Sequence, residues 1–326
     1  MSEVVMERID VPPAPPPIPQ YPWRKEEIRR LLKIPADEFL RSYASRLKAT
    51  ESLRQLYEVF AELLAQEIEG NNRNNAPTRI ILPVGPTGHY PMFLKIILDS
   101  GLSLKNCHFF FMDEYCYDDG RPLGLEHPLG FRSTMEKLLF GPLEKQAPEF
   151  MMPRDHIYFP DPAHPEGTQE KIDAVGGIDT CYGGVGIHGH VAFNEPEEGV
   201  ENSDTRVLRT NMATKTINMI RSDCGGFFGD YPEVAVTIGM KQILSCPRIV
   251  LFPRNDIFQD DGTILYYANT IVRLAAAGGL DATPAGDYPV TFCGAQEPGN
   301  TGRTLMIYTT RDAIEAPRIS IPAIDG

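Results

Sequence analysis

The sequence has no run of about 18 apolar residues, so no membrane-spanning helix is expected. Its N-terminus lacks the basic-then-apolar pattern of a secretory leader, and the expected location is the cytoplasm. Six cysteines (Cys107, Cys116, Cys181, Cys224, Cys246, Cys293) stand without one CxxC pair. That pattern favours reduced thiols over disulfides or a structural zinc site. No basic cluster offsets the formal net charge of −13. Nucleic acid and anionic membrane are therefore poor partners. A small anionic substrate is not excluded, because a pocket needs only two or three local cations. The turn Gly85-Pro86-Thr87-Gly88 matches neither a P-loop nor G-x-G-x-x-G. It also shows no internal repeat.

What is present is ordinary in amount and uneven in placement. Across 326 residues, 42% are hydrophobic and 23% charged, as in globular domains generally. Residues 1–35 form an N-terminal extension holding Pro12, Pro13, Pro15, Pro16, Pro17 and Pro19, a run that stays extended. Trp23, the one tryptophan, is a candidate anchor for this arm. The arm and the acidic composition together make a homo-oligomer the expectation.

From residue 36 onward, helical and strand-like segments alternate. Residues 36–48 read as helix. Leu53, Leu56, Tyr57, Phe60, Leu63 and Leu64 repeat at helical spacing, with Thr50 or Ser52 as N-cap and an end near Gly70. Strands are expected at 79–84, 107–112, 178–183, 234–238, 248–252, 289–292 and 305–308. Helices are expected at 90–98, closed by Gly101, and near 132–140, 166–175 and 263–277. Residues 141–165 read as irregular, and 197–230 as a mobile excursion that could act as a lid. The alternation predicts one α/β domain, 36–326, around a mainly parallel sheet flanked by helices.

Three strands end in polar loops that suggest one pocket. The turn Gly85-Pro86-Thr87-Gly88, between a strand and a helix, has amides and a hydroxyl that suit a phosphate at a helix N-terminus. Asp113 and Glu114 follow the apolar run Phe109 to Met112. A carboxylate there fits a general base of raised pKa, or equally a helix cap or salt bridge. Gly183-Gly184-Val185-Gly186-Ile187-His188-Gly189-His190 leads to Asn194-Glu195-Pro196. His188, His190 and Glu195 suit acid–base chemistry near neutral pH, with an imidazole held by a carboxylate. They also suit a metal, for which His-x-His needs a third ligand, Asp113 or Glu195. Either histidine can instead be structural.

Met112-Asp113-Glu114-Tyr115, Glu126-His127-Pro128 and Gly189-His190-Val191-Ala192-Phe193-Asn194-Glu195-Pro196 occur in this order. In this the chain resembles the glucosamine-6-phosphate deaminases, from about residue 45 to 310. The resemblance implies a Rossmann-like fold. It implies conversion of glucosamine 6-phosphate to fructose 6-phosphate and ammonia, with no redox cofactor and no metal. It casts Asp113 as the proton carrier between C2 and C1, and His190 as the ring opener supported by Glu195. The Gly85–Gly88 turn then holds the phosphate, and Glu114 is a further candidate for substrate binding. The family's lid arginine falls by alignment at Ile220 or Arg221, of which Arg221 is the candidate. Its later lysine falls at Phe252-Pro253-Arg254-Asn255, where Arg254 is the candidate substitute.

There are departures from the family pattern. His188 stands where the family commonly has Asp or Asn, and it can donate as well as accept. Pro86 replaces a glycine and removes an amide donor. The loop from Asp113 to Glu126 is longer. Alternatives left open are a 6-phosphogluconolactonase-like hydrolase, an isomerase of another sugar phosphate, and a binding protein without catalysis.

Overall fold

Short apolar segments assemble into one central sheet because each must bury both of its faces. The computed structural model describes residues 11–13, 25–222, 224–257, 264–279, 282–294 and 303–316. Strands are numbered in chain order. The sheet contains β1 (Leu47–Thr50), β2 (Thr78–Leu82), β3 (Cys107–Phe111), β5 (Ile157–Tyr158), β6 (Thr180–Gly183), β9 (Arg248–Leu251) and β12 (Thr304–Thr310). Their spatial order is β1-β12-β9-β6-β2-β3-β5, and every neighbouring pair is parallel.

Side chains alternate between the two faces, as the strand period of two requires. Ile81, Phe110, Cys181, Ile249 and Leu251 enter one apolar cluster. Ile80, Leu82, Phe109, Phe111, Tyr182 and Val250 enter the other. Burial on both faces explains why these strands read as continuous apolar runs rather than alternating ones. Helices Leu53–Arg73, His89–Ser100 and Phe131–Met135 pack on the second face; Ala36–Ser42, Met240–Leu244 and Asn269–Ala277 pack on the first. One sheet with a core on each side is the expected α/β domain. Among the described residues, no helix is long and apolar enough to cross a membrane. All six cysteines are free.

Several expectations need correction. Asp113 does not end β3 but opens β4 (Asp113–Cys116). This strand pairs antiparallel with β8 (Val234–Thr237), which pairs in turn with β7 (Arg206–Arg209). The segment 234–238 is thus a strand of a second, three-stranded sheet. The 197–230 excursion contributes β7 and the helix Met212–Arg221. The first helix stops at Ser42, because the chain must reach β1 and its partner β12. Ser52 caps the next helix, its Oγ accepting from Gln55 N at 3.2 Å. That helix passes Gly70 and ends at Arg73. A Cβ on Gly70 would meet nothing within 4 Å, so this glycine sits on an open face and breaks nothing.

The segment expected to be irregular from 141 begins as helix Gly141–Gln146. A π-helical turn, Glu136–Phe140, precedes it and opens the ladder just before Pro142, which has no N–H to offer. Residues 289–292 form a turn running into the short helix Thr291–Gly294, not a strand. The helix expected from 263 starts at Asn269; Ile264–Leu265 is instead a strand, β11, paired with β10 (Asp256–Ile257). Apart from residues 11–13, the proline arm and Trp23 lie outside the described residues. The helix Lys25–Lys33 is docked on the domain, because Arg273 Nη1 donates to Leu31 O (2.7 Å) and Ile34 O (2.8 Å).

The order of the sheet positions the site. From β2 the chain builds outward through β3 and β5; from β6 it builds the other way through β9 and β12. The reversal lies between β2 and β6, and a crevice forms beyond the carboxyl ends of strands at such a point.

Candidate active site

Four strand ends supply the crevice. The turn 85–88 follows β2, Asp113 follows β3, the glycine-rich loop follows β6, and Arg254 follows β9. They border one cavity of about 1230 Å³, lined by Gly85, Pro86, Thr87, Asp113, His190, Arg221 and Arg254 among others. Residues distant in sequence therefore meet, as the polar ends of the three strands suggested.

Asp113 is 6% exposed and touches the cavity. Burial, with the neighbouring Glu114 charge, holds its carboxyl well above the usual carboxylate range. Among the described residues no side chain or amide bonds to it, so it is free to meet a ligand. Glu114 is different and does not line the cavity. Its Oε1 accepts from Tyr115 N (2.9 Å) and Phe131 N (2.7 Å), and its Oε2 from Arg132 N (2.8 Å). Both oxygens are taken by amides where helix Phe131–Met135 begins. Its assignment to ligand binding is therefore corrected to helix capping.

The loop after β6 needs its glycines for close approach. A Cβ on Gly184 would lie 2.9 Å from Gly85 O, so the two loops touch backbone to backbone. A Cβ on Gly186 would fall 1.9 Å from His190 Nε2. Glycine here is what lets the imidazole stand beside the cavity. Its other nitrogen, Nδ1, lies 3.4 Å from Glu195 Oε2 and 3.3 Å from Thr214 Oγ1. Glu195 is 1% exposed. Its Oε1 accepts from Asn211 N at 3.2 Å and its Oε2 from Asn211 Nδ2 at 3.0 Å. Burial works to raise the Glu195 pKa, but the His190 and His188 rings and hydrogen bonds outweigh it, and the net shift is downward. A buried anion thus sits behind His190 and fixes its ring.

His188 meets the same carboxylate oxygen as His190, its Nε2 3.1 Å from Glu195 Oε2. Burial, then the adjacent His190, pushes its pKa down, so it is neutral at pH 7. It does not line the cavity; besides Glu195, its Nε2 meets the Thr214 hydroxyl at 3.3 Å, which His190 Nδ1 also shares. With Glu195, the two histidines bring three ligand-type atoms within 4.8 Å of one another. The third ligand that a His-x-His metal site needs is thus Glu195 rather than Asp113. The space between them is already held: Asn211 Nδ2 lies 2.7 Å from His188 Nε2 as well as 3.0 Å from Glu195 Oε2. Asn211 Oδ1 accepts from Thr214 N at 3.0 Å, which orients the amide. The donor set therefore reads as a hydrogen-bonded acid–base group.

At the other end of the cavity, Arg254 lies over the Tyr57 ring (5.7 Å) and beside His89, the first residue after the turn. Burial lowers the His89 pKa to about 3, with Arg254 adding to the fall, so it is a neutral packing residue. Gly88 meets Tyr57: a Cβ there would lie 2.3 Å from the ring. Gly88 packs under Tyr57 and does not line the cavity, unlike the other three turn residues. Arg221, at the end of helix Met212–Arg221, reaches the Arg254 region through Asp256.

Sequence reasoning missed Asn211, Thr214, Asp256 and Tyr267. Asn211 carried a readable signal, since asparagine is a preferred N-cap and it caps helix Met212–Arg221. The others carried none.

No protein-family profile matches the chain. It is similar to the glucosamine-6-phosphate deaminase of Porphyromonas gingivalis, 30% identical over 180 residues, 52% of this chain and 62% of that protein. It is 32% identical to that of Shewanella halifaxensis over 171 residues, 51% and 59% of the two chains. The chain thus spans about three-fifths of the length of these curated relatives. A solved structure of a monomeric glucosamine-6-phosphate deaminase superposes with a TM-score of 0.63 at 19% identity, covering 82% of this chain and 98% of that one. A 6-phosphogluconolactonase from Leishmania guyanensis gives 0.57 at 16%, covering 82% and 97%. At these identities the structural likeness is one of fold.

Proposed function

We propose that this chain, which is similar in sequence to glucosamine-6-phosphate deaminases, isomerises and deaminates a small amino-sugar phosphate. The favoured substrate is glucosamine 6-phosphate, and the products are fructose 6-phosphate and ammonia. The unit responsible is residues 36–326. The extension 1–35 lies outside the chemistry and suits contact with a second copy in a cytoplasmic homo-oligomer.

One observation carries this reading. A buried, unpartnered carboxyl of raised pKa shares a cavity with an imidazole braced from behind by a buried carboxylate. Aldose–ketose isomerisation needs such a pair. His190, through Nε2, moves the proton that opens the pyranose ring, while Glu195 on Nδ1 stabilises the charge the ring then takes. Asp113 removes the C2 proton and returns it to C1. The C2 amine becomes an imine, to which water adds, and ammonia leaves. Thr87 and the two arginines hold the phosphate and so place C1 and C2 over Asp113.

The test is ammonia release from glucosamine 6-phosphate, coupled to fructose 6-phosphate detection, with neither metal nor redox cofactor added. Stoichiometric appearance of both products supports the reading. Hydrolysis of 6-phosphogluconolactone without ammonia release from the amino sugar would overturn it.

A further inference from the structure

The anion end of the cavity holds a third charge. Asp256 lies between the two arginines. Its Oδ2 accepts from Arg221 Nε at 2.6 Å, and its Oδ1 accepts from Arg254. The Tyr267 hydroxyl lies 3.4 Å from Oδ1 and also accepts from Arg221. Arg221, Arg254, Asp256 and Tyr267 all line the cavity. Burial works to raise Asp256, but Arg221 and then Arg254 outweigh it, and the carboxyl is held below its ordinary range as a full anion.

Each arginine also rests on an aromatic ring. Arg221 stacks over Tyr267 at 4.8 Å, and Arg254 lies over Tyr57. Arg254 also keeps a donor in reserve, because its Nε is buried with no partner among the described residues. A guanidinium with an unspent donor beside a cavity is prepared for another acceptor.

The charges sum to +1. A phosphate monoester has a second pKa of about 6 and is mostly a dianion at pH 7. Added while Asp256 stays in place, it would leave the group at −1, with two anions adjacent in a half-buried site. With Asp256 withdrawn, the same phosphate is neutralised by the two guanidiniums and gains their N–H donors. Asp256 begins the two-residue strand β10, outside the central sheet, and its side chain is 17% exposed, so its displacement does not disturb the central sheet.

Resting on the sugar-phosphate reading above, we propose that Asp256 is an internal competitor for the anion subsite. Its carboxylate occupies the place of the substrate's phosphate until the ligand displaces it. Its charge sets which anions the subsite prefers, making it a specificity-determining residue.

The experiment is calorimetric titration of wild type and Asp256→Asn with inorganic phosphate, glucosamine 6-phosphate and glucosamine 6-sulfate at pH 7.5. The sulfate ester matches the phosphate in shape and carries one negative charge. The variant should bind both phosphates about tenfold tighter or better, which is about 1.4 kcal/mol, and should gain less for the sulfate. Unchanged or weaker phosphate binding by the variant, while wild type binds, overturns the competitor role alone and leaves Asp256 as a support for the arginines. If neither protein binds any phosphate, the sugar-phosphate reading falls with it. A crystal structure of the wild-type complex is the second measurement. A carboxylate still bonded to both guanidiniums beside a bound phosphate would refute displacement.

Discussion

Replacing Asp113 with asparagine should stabilise the protein and silence it. Asp113 is buried, has no hydrogen bond among the described residues, and has its pKa raised by burial and by Glu114. The folded state therefore holds this proton more tightly than the unfolded chain, where an aspartate titrates near 3.9. As pH rises past that value, the unfolded state loses the proton first. Native stability then declines with rising pH until the folded pKa is passed. Each unit of elevation costs the native state about 1.4 kcal/mol at higher pH.

Asparagine keeps the shape and cannot ionise. The expected outcome at pH 7 is a higher Tm, by roughly 2–4 °C for each kcal/mol recovered in a protein of this size or somewhat smaller. The gap over wild type should shrink as pH falls toward about 4, where both side chains are uncharged. Turnover should fall by about 10²–10⁴, the usual contribution of a positioned acid–base group. Melting curves from pH 4 to 9, with kcat on the same preparations, measure both. A variant less stable than wild type at pH 7, or a gap that ignores pH, refutes the costly buried charge. Undiminished turnover removes Asp113 as the proton carrier.

Gly186→Ala puts a methyl 1.9 Å from His190 Nε2, so the ring must shift by roughly 1.5 Å to regain contact distance. A displacement of that order costs about 10² in kcat. Gly167→Ala, whose added Cβ meets nothing within 4 Å, is the control that should retain wild-type rates. His188→Asp replaces the group 3.1 Å from Glu195 Oε2 by a second carboxylate. Stability should fall by about 1–3 kcal/mol at pH 7, with the loss growing from pH 5 to 8 in thermal melts. The sign follows because like charges raise one carboxyl's folded pKa, and that stability is lost as pH rises. Glu114→Gln turns one acceptor toward amides into an N–H donor. Denaturant unfolding should show a loss of about 1–3 kcal/mol, with Kd for the sugar phosphate little changed.

Local chemistry makes much of this molecule legible in its residues alone. β2, β3, β6 and β9 are legible because strands buried on both faces must be apolar throughout. Ser52 announces its helix, and Gly101 ends the helix His89–Ser100 in the left-handed conformation at φ +69. Asp113, His190 and Glu195 stand out because a polar cluster beyond a buried strand has little structural reason to be there. The sequence cannot show that Asp113 changes sheets. A continuous run from Cys107 to Cys116 looks the same whether one strand or two, and only the pairing of Asp113 with Thr237 divides it. Nor can it show that Glu114 caps a helix while Asp113, one residue away, faces a cavity. Which face a carboxylate takes depends on what the next strand and helix bring to it. Asp256 between Arg221 and Arg254 is the clearest case. These charges lie up to 35 residues apart and carry no common motif. Arg254 and Asp256 follow β9 of the central sheet, while Arg221 ends the helix Met212–Arg221 that follows β7 of the second sheet, so only the packing of the two sheets brings these charges together.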